Sequence, residues 1–105
     1  MNNTNELIFV NNILNTKLTI RKAAKHLGLR RDDLIKRIKE ILKNDEENTR
    51  KLDLIIITNK VLYDNLSIKD AAKILNLSEE ELNKKITVLL QNNENKKKRY
   101  ETLKK

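Results

Sequence analysis

Apolar residues recur along this chain at the three- and four-residue spacings of a helix, and no stretch alternates as a half-buried strand does. Apolar positions at i, i+1, i+6 and i+7 predict a first helix over roughly 5–15 and a similar one over roughly 51–63. The same periodicity predicts helices over roughly 31–43 and 79–91. The predicted fold class is therefore all-α.

Two shorter helices are delimited by polar residues. Thr19 and Ser67 each precede a helix-forming run, where a hydroxyl accepts a hydrogen bond from a free backbone N–H of the first turn. Gly28 and Asn76 follow these runs, and these residue types best tolerate the left-handed conformation that ends a helix. We therefore expect a tight turn at both places.

The two halves of the chain repeat one pattern. Residues 18–42 align without a gap with residues 66–90 at an offset of 48, and eleven of the 25 positions are identical. The same offset extends upstream, where apolar residues of 7–14 meet apolar residues of 55–62. The chain therefore contains an internal duplication.

The duplication predicts two tandem three-helix units and a tail. Unit 1 is basic and spans 1–44, unit 2 is near-neutral and spans 45–92, and a basic tail follows at 93–105. The acidic-polar segment 43–50 is expected to join the units. In each unit a short helix, a tight turn and a second helix give the helix-turn-helix layout, without a wing.

Composition removes most chemistry that a domain of this size can carry. The 105 residues include no Cys, one His and one Gly, which excludes a disulfide scaffold, a thiolate zinc site, a His cluster and a Gly-rich phosphate loop. No apolar run exceeds four residues and the N-terminus lacks a secretory pattern, so we expect a cytoplasmic protein without membrane contact, metal or small-molecule cofactor. The Asp32–Asp33 pair has no second carboxylate cluster, and we expect no enzymatic activity.

The net charge points to a class of partner, because +8 at pH 7 favours a polyanion such as nucleic acid.

The segment TKLTIRKAAKHLGLRRDDLIKRI of unit 1 carries T-x-R-x-x-A-K-x-x-G followed by a further helix. In this it resembles the stage III sporulation protein D type of transcription factor. The similarity covers roughly 16–42 and, more weakly, 64–90. It implies sequence-specific binding to double-stranded DNA and regulation of transcription.

The third helix of unit 1 would place its N-terminal part in the major groove. Arg30 and Arg31 suit guanine, and Ile35 suits a thymine methyl group. Thr19 begins the preceding helix, whose N-terminus attracts phosphate. The alternative is that these side chains form only a solvated charged face. The predicted DNA-contacting residues of unit 1 are Thr19, Arg21, Arg30, Arg31, Asp32, Ile35, Lys36 and Lys39.

Unit 2 does not share the charge of unit 1. Residues 18–42 have eight basic and three acidic side chains, a net charge of +5, whereas residues 66–90 have four of each. Ser78 and Glu81 have the spacing of a capping box, and the acidic helix start around them repels phosphate. Lys84 is the residue of unit 2 that we expect at DNA. Unit 1 is therefore predicted to make the main contacts with DNA.

The tail adds a second basic segment, since residues 94–105 have a net charge of +4. One possibility is that this segment follows the DNA phosphates as a disordered arm, and the other is that it forms a solvated C-terminal extension. The residues concerned are Lys96, Lys97, Lys98 and Arg99.

A unit of about 45 residues is marginal alone, so we expect either intramolecular pairing of the units or a homodimer.

Three functions fit these observations. The first is a small DNA-binding transcriptional regulator. The second is a protein-interaction module that uses the helix-turn-helix fold to bind a partner protein. The third is a DNA-architectural protein or an accessory protein of plasmid or phage maintenance. Selection of bound sequences from a DNA pool separates them, because only the first yields a defined motif.

Overall fold

The computed structural model describes residues 3–104, with the side chains of residues 7–103. Seven helices account for the described chain, and no strand occurs within it, which confirms the predicted all-α class. The helices are α1 (Asn3–Leu14), α2 (Ile20–Leu27), α3 (Arg31–Ile41), α4 (Glu46–Tyr63), α5 (Ile68–Leu75), α6 (Glu79–Leu89) and α7 (Glu94–Lys104).

The chain divides into two compact units, Met1–Lys51 and Leu52–Lys105. Their boundary lies within α4, and α7 belongs to the second unit. From here on, unit 1 and unit 2 denote these two ranges. Each unit contains a helix of eight residues, a tight turn and a helix of eleven residues. We call α2–α3 and α5–α6 the two helix pairs.

The helix pairs begin and turn as their sequences predict. The Thr19 hydroxyl oxygen accepts a hydrogen bond from the Lys22 N–H at 3.1 Å, and Ser67 accepts one from Asp70 at the same distance. Gly28 and Asn76 end α2 and α5 with φ of 66° and 57°, in the left-handed region. A Cβ at Gly28 would meet no atom within 4 Å, so backbone conformation rather than space favours glycine there.

A separate apolar core fills each unit. Both alanines of α2 and both of α5 are buried, so the helices of each pair can approach closely. The buried apolar side chains of unit 1 are Val10, Ile13, Leu14, Ile20, Ala23, Ala24, Leu34, Ile38 and Leu42. The buried cluster of unit 2 is Ile57, Val61, Leu62, Ala71, Ala72, Leu82, Ile86, Leu90 and Tyr100.

The predicted linker 43–50 is in large part helix. α4 begins at Glu46, about five residues before the predicted start of that helix. The Asp45 carboxylate accepts a hydrogen bond from the Asn48 N–H at 3.1 Å and so caps the first turn. The Thr49 hydroxyl donates to the Leu42 carbonyl at 3.0 Å, which fixes the helix start to the end of α3.

The tail forms the helix α7 rather than the disordered arm considered from the sequence. The Asn93 side-chain oxygen accepts from the Lys96 N–H at 3.1 Å and caps α7 as Asp45 caps α4. Tyr100 is 3% exposed, and Leu52, which precedes it by the 48-residue offset, is 0% exposed. The repeat therefore extends into the tail, where α7 corresponds to the first part of α4.

Candidate nucleic-acid interface

One face of α3 is buried and the opposite face carries the predicted lysines. Leu34 and Ile38 are 4% and 1% exposed and hold the helix to the core of unit 1. Asp32, Lys36 and Lys39 follow at helical spacing on the opposite side, and all three are exposed. The structure thus brings these three predicted residues together in one stripe along the helix.

The start of α3 presents two guanidinium groups. Arg30 occupies the N-cap position in an extended conformation (φ −74°, ψ 152°) and makes no side-chain capping hydrogen bond. Arg31 is the first residue of the helix, and both arginines are exposed. Their place at the N-terminal turn is where a helix entering the major groove contacts base edges.

Two of the predicted contacts lie partly inside unit 1. Thr19 is half-buried, and its hydroxyl oxygen already accepts the Lys22 N–H, which leaves the hydroxyl hydrogen for a phosphate. Ile35 is also half-buried. Its side chain therefore offers less surface to a thymine methyl group than the sequence implied.

Helix α2 adds basic residues that the sequence reasoning did not select. Arg21, Lys22 and Lys25 are all exposed and occupy one side of α2. The signal for these residues is that Lys25 follows Arg21 by four residues and Lys22 by three, the spacings of neighbours on a helix surface. Lys43, four residues after Lys39, is exposed just beyond α3 and was missed in the same way. The basic surface of unit 1 therefore extends over both helices of the pair.

The corresponding surface of unit 2 has different chemistry. The Ser78 hydroxyl oxygen accepts from the Glu81 N–H at 3.1 Å, and the Glu81 carboxylate accepts from the Ser78 backbone N–H at 3.5 Å, which completes a capping box. Glu79 and Glu80 are exposed beside it. The Lys84 ammonium lies 3.8 Å from the Glu80 carboxylate, which offsets its charge locally. Lys84 is the predicted contact of unit 2, and it offers little net positive charge.

The tail lysine and arginine that we expected at phosphates are held within unit 2. The Lys96 ammonium donates to the Asn59 side-chain oxygen at 3.2 Å, and burial lowers the pKa of Lys96. The Arg99 Nε donates to the Leu62 carbonyl at 2.6 Å, near the C-terminal end of α4. The Arg99 guanidinium also lies 4.7 Å from the ring centroid of Tyr63, a cation–π contact.

Tyr100 is the residue that seats α7 on unit 2. Its hydroxyl donates to the Asn83 side-chain oxygen at 2.7 Å, and burial raises the pKa of the phenol. Lys97 is half-buried, whereas Lys98 and Arg99 are exposed, and Lys98 follows Glu94 by four residues and precedes Glu101 by three. The tail therefore does not present a continuous basic surface.

The remaining features of the described surface are a histidine, the acidic side chains and an apolar recess. His26 is exposed, and its ring centroid lies 6.3 Å from that of Phe9. Among the described residues no group of His, Cys, Asp or Glu could hold a metal ion. An apolar recess of unit 1 is lined by Phe9, Val10, Ile13, Leu27, Leu34, Arg37, Ile38 and Ile41.

No protein-family model, curated protein or solved structure matches this chain significantly. The resemblance to the stage III sporulation protein D type therefore stays a prediction from the quoted residues. Within residues 3–104, no helix is long and apolar enough to cross a membrane.

Proposed function

We propose that this protein binds double-stranded DNA sequence-specifically through the α2–α3 helix pair and regulates transcription. The observation that carries the proposal is the contrast between two helix pairs built alike. Residues 18–42 have a net charge of +5 and residues 66–90 a net charge of zero. Since the alanines of α2 and α5 and the pairs Leu34/Leu82 and Ile38/Ile86 are buried alike, the added charge of unit 1 is not needed for folding, which supports a polyanionic ligand.

The mode of binding follows from where the charges lie. With the N-terminal turn of α3 in the major groove, Arg30 and Arg31 reach guanine O6 and N7. Lys36 and Lys39 continue along the same helix toward the phosphates. Arg21, at the start of α2, meets the phosphate backbone beside the groove, where the helix N-terminus also favours an anion.

Selection from a random DNA pool, followed by fluorescence anisotropy on the selected duplex, tests the proposal. The Arg30→Ala/Arg31→Ala variant is expected to weaken binding by about 100-fold, because each arginine–guanine contact is worth roughly 1–3 kcal/mol. The matched variant Glu79→Ala/Glu80→Ala, at the start of α6, should bind at least as tightly as the wild type.

The same experiment separates the other functions. Tight binding to DNA of any sequence would support an architectural role and contradict sequence-specific regulation. Equal losses from the two double variants would contradict a reader confined to unit 1. No measurable affinity for any DNA at low salt would reject the proposal as a whole.

A second function, docking of a partner protein on unit 2, is supported by two exposed apolar side chains. Ile74 and Val88 are 60% and 69% exposed, and the equivalent positions of unit 1 hold the polar residues His26 and Glu40. If unit 2 recruits a protein while unit 1 holds DNA, Ile74→Ser/Val88→Ser should abolish regulation in cells without changing affinity for the selected duplex. Unchanged regulation would remove this second function.

A further inference from the structure

The outer face of α1 differs in chemistry from the rest of the surface. Leu7 and Ile8 are 49% and 53% exposed, Asn11 follows on the same side of the helix, and Asn15 is exposed in the turn directly after α1. Residues 7–16 contain no ionisable side chain, in a chain of which 36% is charged. We call Leu7, Ile8, Asn11 and Asn15 the α1 stripe.

The internal repeat shows how these positions are used elsewhere in the same chain. At the 48-residue offset, Leu7 and Ile8 correspond to Ile55 and Ile56 of α4. Ile55 is 8% exposed and Ile56 is half-buried, so in α4 the pair lies mostly out of water. The sequence keeps large aliphatic residues at both occurrences, although only those of α4 are covered. An uncovered apolar pair of this kind marks a surface that gains free energy when another surface packs on it.

The charge distribution selects a second molecule of the same chain as the occupant. Residues 1–17 have a net charge of zero, whereas residues 18–42 have a net charge of +5. Two molecules that meet through α1 therefore avoid the repulsion that contact through the basic helices would bring. The asparagine amides both donate and accept hydrogen bonds, so Asn11 and Asn15 can pair with the same residues across a two-fold axis.

We propose that the α1 stripe is a homodimer interface, in which α1 of one molecule packs against α1 of a second molecule about a two-fold axis. Each helix has only 12 residues, so the contact is smaller than a standard interface and the Kd is expected on the order of 10 μM. The dimer brings together two basic helix pairs. That consequence, two DNA half-sites read by one dimer, rests on the proposed function, whereas the dimer itself does not.

Single-cysteine cross-linking tests the interface without DNA, because the chain contains no cysteine of its own. Ile8→Cys and Asn11→Cys are expected to form covalent dimer with a short bismaleimide at least about tenfold faster than the control Val88→Cys, at about 100 μM protein. Val88 is a matched control because it is even more exposed than Ile8 and lies in unit 2.

Sedimentation equilibrium supplies the second readout. The wild-type chain should approach twice its monomer mass of 12.4 kDa, and Asn11→Lys/Asn15→Lys should sediment as a monomer because like charges then face each other across the axis. Both asparagines are exposed, so this variant is expected to keep the wild-type melting temperature. A monomeric wild type, or cross-linking no faster at Ile8 than at Val88, would overturn the interface. A dimer that fails to bind DNA would instead overturn only the proposed function.

Discussion

The two helix pairs share a scaffold and differ in the surface that it presents. Their identical residues include buried positions such as Leu34 and Leu82, whereas the exposed equivalents Arg31 and Glu79 have opposite charge. Core positions tolerate little change of volume, while exposed positions are free to diverge. The comparison teaches that the fold was duplicated and that the basic surface belongs to one of the two occurrences.

The starts of the two longer helices show what this divergence costs. Ser78 caps α6 through a capping box, whereas Arg30 stands at the same position of α3 without a side-chain capping bond. A side-chain cap contributes about 1 kcal/mol to helix stability. Unit 1 therefore has a guanidinium group at the helix start in place of a stabilising hydroxyl. Residues that serve a ligand rather than the fold show such local conflicts.

The largest expected effect concerns α7, which packs on unit 2. Tyr100→Ala should lower the free energy of unfolding of unit 2 by about 3 kcal/mol, because a buried aromatic ring and its hydrogen bond to Asn83 are lost. Leu103→Ala is the control on the same helix, since Leu103 is 51% exposed, and its effect should stay below about 0.5 kcal/mol. Urea unfolding followed by circular dichroism measures both. Equal effects would mean that α7 contributes little to the stability of unit 2.

An exchange of charge between the helix pairs tests whether DNA binding depends on α2–α3 and not on α5–α6. Arg31→Glu should weaken binding to the selected duplex by about 30-fold, because a guanine contact is replaced by repulsion from phosphate. The reciprocal Glu79→Arg should leave affinity unchanged or raise it by less than about tenfold. Anisotropy titrations at a fixed salt concentration provide the measurement. A comparable loss from Glu79→Arg would break the asymmetry between the units.

The capping difference predicts opposite changes in stability. Ser78→Ala should destabilise unit 2 by about 1 kcal/mol, because the N–H of Glu81 loses its acceptor. Arg30→Ser should stabilise unit 1 by about 0.5–1 kcal/mol and at the same time weaken DNA binding. Urea midpoints and anisotropy on the same samples check both parts. An Arg30→Ser chain that gains stability without losing affinity would remove Arg30 from the interface.

The smallest expected effect is a pH dependence confined to unit 2. Burial raises the pKa of Tyr100 in the folded chain, so its stabilising contribution is complete below the unfolded value of about 10 and is lost as pH rises through the folded value. The lowered pKa of Lys96 acts in the opposite direction, and Tyr100→Phe retains that lysine. Thermal melts between about pH 8 and pH 11 should therefore fall more steeply for the wild type than for Tyr100→Phe. Parallel curves would contradict the raised pKa.

Features set by neighbours in sequence were predictable. The caps at Thr19 and Ser67 and the left-handed turns at Gly28 and Asn76 occur where the residue types place them. A cap depends on bonds between residues about three apart, and a left-handed turn depends on one residue's own φ. The exposure of Arg31 and Lys36 also follows from the helical period that buries Leu34 and Ile38.

The tail was not predictable from its own composition. Half of residues 94–105 are basic, which is typical of a solvated segment. What holds α7 is a set of bonds from Lys96 and Arg99 to residues 37 positions earlier, and from Tyr100 to a residue 17 positions earlier. The available signal was the repeat itself, because an offset of 48 places Asn93 opposite Asp45 and Tyr100 opposite Leu52.

The candidate interface also combines residues predictable from the sequence with properties that depend on tertiary packing. Its arginines follow from the motif, whereas the half-burial of Ile35 depends on the packing around it. Lys22 and Lys25 were recognisable by their spacing from Arg21, but only their exposure makes them part of a surface with α3.

The sequence alone determined the all-α class, the two helix pairs and the concentration of charge in one of them, because caps, periodicity and ionic character are properties of short segments. The tertiary structure decided which basic residues are bonded within their own unit. Lys36 is exposed on α3, whereas Lys96 is half-buried and bonded to Asn59, and the exposed Arg99 is bonded to the Leu62 carbonyl. Such a distinction depends on contacts between residues far apart in the chain, which form only when the helices pack.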